Sequence, residues 1–335
     1  MSFLARSRAE TRDQPVYAAL DLGTNNCRML VARPTAQGFR VVDAFSRVTR
    51  LGEGLAVSGR LSAEAMDRTV EALSACVDKM ARNQVTRARL VATEACRRAV
   101  NCAEFDARVR AETGLCLDII TAHEEAGLAL AGCASLLTAD KPWAVVFDIG
   151  GGSTELVWVR TSAAGEEVEG VQSIPLGVVT LAEQRGHELA TAHGYARVVA
   201  ELAAALAPFE ARHDIGARLA AGEVQMLGTS GTVTTLAALH LGLDRYDRAQ
   251  VDGLVMDFAD IARITAELAG MTPARRAAHP CIGRERADLV VAGCAILEAV
   301  CRTWPLGRLR VADRGVREGV LIDLMRQDAL AGDAR

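Results

Sequence analysis

The chain has 335 residues, half of them apolar, and its 38 basic residues against 42 acidic ones leave a net charge of −4. That length admits two domains of ordinary size, and the near balance of charge in so apolar a chain excludes a disordered protein and a general nucleic-acid binder. Nine scattered cysteines with no C-x-x-C pair exclude a disulfide or zinc framework and suit reduced thiols of a cytoplasmic protein, and no apolar run approaches the ~20 residues that span a bilayer.

Residues 1–15 have basic residues but no following apolar core, so they predict a disordered tail and no secretory signal. "YAALDLGTNNCRMLVA" (17–32) then runs apolar strand, Asp-x-Gly turn, apolar strand. A strand passing into a loop follows at 39–51. Residues 61–83 predict an amphipathic helix, with Met66, Val70, Leu73, Val77 and Met80 on one face. Strands are expected at 88–96 and 116–121, and a helix at 123–137. "ADKPW" (139–143) is the linker candidate, dividing a first half, 16–140, from a second, 141–330.

The second half opens on "VVFDIGGGSTELVWV" (145–159), again strand, Asp-x-Gly turn, strand. Superposing Asp21 on Asp148 aligns Gly23 with Gly150 and sets Arg28 against Glu155, an offset of 127 residues that fits a duplicated domain. Further strands are expected at 170–177 and 224–231, a helix in "GTVTTLAALHLG", and a helix buried nearly all round in "ERADLVVAGCAILEAVCRTW" (285–304). A last strand and helix follow in "LRVADRG" and "VREGVLIDLM". Mixed strands and helices in two related halves predict α/β domains facing a cleft.

Three consecutive glycines at a hairpin tip cost backbone entropy, and their use is to let amide groups converge on an anion. Gly150, Gly151 and Gly152 are followed by the hydroxyls of Ser153 and Thr154 and bracketed by Asp148 and Glu155. A third turn with Gly228, Ser230, Gly231 and Thr232 leads into a helix N-terminus, which also favours an anion. In "TAHEEAGLALAG", Thr121 and Glu124 have capping-box spacing. Glu125 has no such local role and is either a solvated first-turn carboxylate or a general base for water. Arg97 and Arg98 follow a strand, where a guanidinium can grip phosphate, although with lysine confined to Lys79 and Lys141 arginine is common in this chain.

Together these stretches resemble the exopolyphosphatase/guanosine pentaphosphate phosphohydrolase (Ppx/GppA) family in its short two-domain form, without a C-terminal HD-like extension. The likeness runs through "DLGTNNCRMLV", "TRLGEGL", "ATEACRRAVN", "HEEAGLALAG", "VVFDIGGGSTELV", "RADLVVAGCAIL" and "VADRGVREGVL" in order, with Thr24, Asn26 and Cys27 where the family usually has Ser, Ser and Phe. It implies two actin-like (ribonuclease H-like) ATPase-superfamily α/β domains with a cleft between them. It implies metal-dependent release of orthophosphate from inorganic polyphosphate, or once from guanosine pentaphosphate (pppGpp). In that light Glu125 is the base, and Asp148 and Glu155 hold Mg²⁺ or another divalent cation. Asp21, Gly23, Thr24, Asn25, Asn26, Cys27, Arg28, Arg97, Gly150–Thr154, Gly228, Ser230, Gly231 and Thr232 surround the phosphates. A homodimer without nucleic-acid or membrane partners is implied as well. Two other readings of the same turns are an actin-like ATP-dependent small-molecule kinase and a non-catalytic ATP-binding switch or scaffold.

Overall fold

A computed structural model describes residues 15–333, so the tail expected at 1–15 lies, but for Pro15, outside the described residues. Strands β1 (Tyr17–Leu22), β2 (Asn26–Thr35), β3 (Gly38–Val48), β4 (Arg87–Ala92) and β5 (Asp118–Ile119) form one sheet in the order β3-β2-β1-β4-β5. In the second sheet β6 (Trp143–Ile149), β7 (Thr154–Ser162), β8 (Gly165–Ile174), β9 (Val224–Thr229) and β11 (Arg308–Ala312) repeat that order as β8-β7-β6-β9-β11. A short β10 (Val255–Asp257) is added on the outer edge. In both sheets the first three strands pair antiparallel and the next two in the shared order join in parallel, while β10 pairs antiparallel with β11. The repeat extends to register: Asp21 lies opposite Arg28, and Asp148 opposite Glu155.

The apolar sequence decides which faces are covered. β6 and most of β7 are buried on both sides, with Trp143 stacked on Trp158 at 4.9 Å, because helices cover both faces of this sheet. The Val290–Thr303 helix is buried nearly all round, as its composition requires. Helix Ala63–Arg82 buries Met66, Val70 and Leu73 and starts at Ser62, whose hydroxyl accepts from Ala65 N, a cap worth about 1 kcal/mol. The expected strand at 88–96 ends earlier: β4 stops at Ala92 and Glu94–Arg98 is a short helix.

Two helices join the lobes. Helix Ala122–Cys133 packs Leu128 and Ala129 against the first sheet, and Ala126, Leu130 and Cys133 against the second. The last helix, Val316–Asp333, lays Val316, Val320, Leu321 and Leu324 on Tyr17, Ala19 and Leu30. The sequence division at 140/141 assigns this helix to the second half; its packing joins it to the first sheet, because its apolar face matches the face that β1 leaves uncovered. The two helices cross so closely that a Cβ on Gly132 would overlap the Gly315 carbonyl, and one on Gly319 the Leu128 carbonyl. All nine cysteines are free thiols, and no helix among the described residues is long and apolar enough to cross a membrane.

Candidate active site

The β1–β2 turn, the β6–β7 turn and the loop after β9 meet in a cleft between the lobes. In the first turn Gly23 N donates to Asn26 O at 2.9 Å. The Thr24 and Asn25 carbonyls face backwards and accept from Gly52, Thr49 and Arg50 of the "TRLGEGL" loop. In the second turn Gly150 N donates to Ser153 O at 2.9 Å. The Gly150 and Gly151 carbonyls accept from Val178, Val179 and Thr180 at the start of helix Val178–Leu189. Carbonyl and amide of one trans peptide point in opposite directions, so this pairing turns the Gly151 and Gly152 amides away from the helix and towards the cleft.

The glycines answer a second demand as well. A Cβ on Gly151 would stand 3.0 Å from Thr24 Cβ and 3.2 Å from Asn25 N, and one on Gly152 2.5 Å from Thr24 Oγ1 and 2.9 Å from Glu94 Cγ. The two turns thus touch across the cleft, and a side chain there would wedge the lobes apart. None of the three glycines has a positive φ, so it is space rather than backbone freedom that they supply. Thr24 Oγ1 and Asn25 Oδ1 are buried at this contact without a hydrogen-bond partner.

At the third turn Ser230 takes φ 130°, a region almost reserved for glycine, which stores of order 1–3 kcal/mol of strain. Its hydroxyl accepts from Thr232 N and Val233 N, so these two helix-terminal amides are already occupied. A Cβ on Gly231 would lie 3.7 Å from Arg286 Cζ and 3.9 Å from Arg28 Nη2, which shows two guanidiniums converging there. Arginines in this chain are mostly held in ion pairs. Among the described residues neither Arg28 nor Arg286 has a carboxylate within 4.0 Å; Arg286 donates only to Thr235 Oγ1, at 3.1 Å.

Facing them is an acidic group. Thr121 caps the helix by accepting from Glu124 N at 3.1 Å, and Glu124 turns outwards to Arg89. Glu125 turns inwards, and its Oε2 accepts from Arg97 Nη1 at 2.7 Å. The same guanidinium holds Glu94 Oε2 at 2.9 Å and the Ile120 carbonyl at 3.1 Å. Burial, reinforced by the charge of Glu155, pushes the Glu125 carboxyl well above the usual range, with Arg97 opposing. Burial also raises Glu155, although Ser153 and Ser173 donate to its Oε1 at 2.6 and 2.8 Å. Asp148 is pushed up to about 7 by burial and by Glu155 and Asp21, against the pull of Arg28. Asp21 rises through burial too. Carboxylates that raise one another's pKa mark an excess of buried negative charge, which suits a hard divalent cation. Mg²⁺ needs only one or two carboxylates when water and phosphate oxygens complete its shell. No cluster of three or more metal-ligating side chains occurs among the described residues, so the fit is to a metal shared with phosphate, not to an all-protein cage.

Asp21, Gly23–Asn26, Arg28, Glu125, Asp148, Gly150–Ser153 and Ser230–Thr232 therefore share one cleft. Five expected residues do not line it. Cys27 alternates with Arg28 along β2, so its thiol points into the core. Thr154 is buried and donates to the Leu176 carbonyl at 2.8 Å. Gly228 is a packing glycine inside β9, where a Cβ would stand 2.5 Å from Phe147 Cζ. Arg97 and Glu155 stand behind the wall, one holding Glu125 and the other held by the two serines. Thr93, Glu94 and Arg286 are lining residues not singled out from sequence. The i,i+3 spacing of Glu94 and Arg97 was the available signal for Glu94, and the Arg286 signal was a cation leading into a mostly apolar helix.

The Ppx/GppA phosphatase family profile matches residues 30–328. The chain is 32% identical over 329 residues to exopolyphosphatase 2 of Mycobacterium tuberculosis, covering 92% of this chain and 98% of that relative. The crystal structure of the Aquifex aeolicus Ppx/GppA family member superposes with a TM-score of 0.76 at 28% identity, over 94% of this chain and 98% of that one. An exopolyphosphatase from Cytophaga hutchinsonii, at 22% identity and covering 93% and 98%, superposes with a TM-score of 0.84 and supports the fold alone. With its duplicated sheets, its actin-like pair of α/β lobes and the cleft between their turns, the chain belongs to the Ppx/GppA phosphatase family.

Proposed function

We propose that the protein is an exopolyphosphatase, a hydrolase that releases orthophosphate from the terminal phosphoanhydride of inorganic polyphosphate. One observation carries the reading: a single cleft presents a half-buried carboxylate fixed by an arginine, Glu125, together with two guanidiniums without carboxylate partners, Arg28 and Arg286. Hydrolysis of a phosphoanhydride needs an in-line water, neutralised phosphoryl oxygens and a stabilised leaving phosphate. Glu125 accepts the proton of the water, and Arg97 orients it and opposes the burial that favours the neutral acid. Arg28, Arg286 and the Gly151 and Gly152 amides bind the phosphoryl oxygens. Asp148, with Asp21 and Glu155 beside it, would hold Mg²⁺, which supplies charge neutralisation on the transferred group. The pppGpp substrate offers the same terminal bond, so a single hydrolysis of it to the tetraphosphate is part of this proposal.

The test is phosphate release from polyphosphate of defined lengths and from pppGpp, with and without Mg²⁺, by the wild type and Glu125→Gln. Mg²⁺-dependent release by the wild type is expected, falling about 10²–10⁴-fold in the variant. No release from either substrate by folded protein would overturn the reading.

A further inference from the structure

Beyond Asp21, Arg28, Asp148 and Arg286 the cleft opens into a second chamber that neither Glu125 nor Glu94 reaches. Exposed Ser46 and Tyr246 rim it, and Arg314, Arg317, Asp313 and Glu318 stand in its wall. Most of its charges are already engaged. Asp313 accepts from the Tyr246 hydroxyl at 2.7 Å, and Glu318 from Arg248 at 2.9 Å and from Gly315 N at 3.0 Å. Arg314 is held by Asp252 at 2.7 Å. Arg317 is the exception: at the start of the last helix, half-buried, it has no carboxylate within 4.0 Å among the described residues, yet it lies near enough to Asp21 and Arg28 to influence both. The chamber therefore carries one uncommitted cation in its wall, continuous with Arg28 and Arg286 at the waist.

We propose that this second chamber is a phosphate subsite with Arg317 as its cation, on the far side of the waist from the water-activating carboxylate. The inference rests on the phosphoanhydride reading of the main cleft. A planar guanidinium with the Ser46 hydroxyl at the rim suits a tetrahedral oxyanion. That anion is either a phosphoryl group further along the substrate chain or the orthophosphate product.

The experiment compares wild type, Arg317→Gln and Arg317→Lys on tripolyphosphate and on long-chain polyphosphate, and measures inhibition by added orthophosphate. Wild-type hydrolysis of tripolyphosphate tests the main reading by itself, so its failure is separate from a failure here. If the chamber holds the chain, Arg317→Gln raises KM for long chains about tenfold more than for tripolyphosphate, and lysine recovers part of the loss. If it holds the product, the KM ratio stays fixed and the inhibition constant for orthophosphate rises about tenfold. An equal fall in kcat on every chain length, with both KM ratio and product inhibition unchanged, would mean that Arg317 acts only through Asp21. That result, or no change at all, overturns the proposal.

Discussion

Gly152→Ala tests whether the glycine run exists to let the lobes meet. The new Cβ would stand 2.5 Å from Thr24 Oγ1, 2.9 Å from Glu94 Cγ and 3.2 Å from Glu94 Cβ. Neither neighbour can retreat easily. The Thr24 methyl is already pressed against Gly52, and the Glu94 carboxylate is gripped by Arg97 at 2.9 and 3.1 Å. Overpacking of this kind costs about 1–3 kcal/mol. The strain is relieved by separating the turns, so the cost falls on closure of the cleft and not on the core of either lobe. A cost of that size lowers the closed population, and with it kcat/KM, by roughly 5- to 150-fold. Gly23→Ala is the control, since its Cβ would meet only the Asn26 carbonyl, at an ordinary 3.5 Å. Steady-state phosphate release and thermal unfolding of both variants decide the matter. Gly152→Ala with wild-type kcat/KM would refute the reasoning, as would a Gly152→Ala defect matched by Gly23→Ala.

Arg97→Ala removes the charge that opposes burial at Glu125, so the Glu125 pKa rises further and the acid limb of the kcat/KM profile moves to higher pH. An acid limb that stays in place would separate Arg97 from Glu125. Asp148 makes stability depend on pH in metal-free protein. Its pKa rises from 3.8 unfolded to about 7 folded, so the folded state binds the proton more tightly and loses stability as pH climbs through that window, by about 4 kcal/mol in all. With EDTA present, Asp148→Asn is expected to gain on the wild type in denaturant melts between pH 5 and pH 8, by roughly 3 kcal/mol; an equal difference at both pH values contradicts this. Glu124→Gln should leave phosphate release within about twofold of the wild type, since Glu124 is a partly exposed partner of Arg89 worth at most about 1 kcal/mol. A loss as deep as that of Glu125→Gln would show that the two glutamates have been assigned to the wrong faces of the helix.

The duplication could be read from residues alone because its signal is local. Asp-x-Gly between two apolar runs fixes a hairpin, and the same hairpin 127 residues later fixes a second. The split between Glu124 and Glu125 was legible for the same reason, as a capping box uses one carboxylate and the helix geometry swings its neighbour about 100° away. Other features depend on which surfaces meet. Nothing in "VREGVLIDLM" says that its apolar face covers β1 rather than its own half, because amphipathic periodicity gives a face and not a partner. Cys27 and Gly228 sit within the right motifs, and strand alternation and the bulk of Phe147 direct them into the core. Arg286 opens the stretch "RADLVVAGCAIL", but its place beside Arg28 at Gly231 comes from the fold and not from local pattern.

The two hairpins also show how a duplicated element acquires opposite electrostatics. Their registers are equivalent, so the residue opposite each aspartate occupies the same place in both lobes. In the first lobe that place holds Arg28, whose charge draws the Asp21 pKa down against burial. In the second it holds Glu155, which, added to burial, drives the Asp148 pKa up to about 7. One substitution pattern at one register position thus makes one wall of the cleft a partner for anions and leaves the other short of positive charge. On the proposed reading, phosphate would satisfy the first wall and a divalent cation the second, and a metal–phosphate pair would satisfy both only with the walls close together. The contact of Gly151 and Gly152 with Thr24 and Asn25 sets how near they can come. Backbone spacing at the turns and side-chain charge beside them therefore act on the same feature, the distance between the two walls of the cleft.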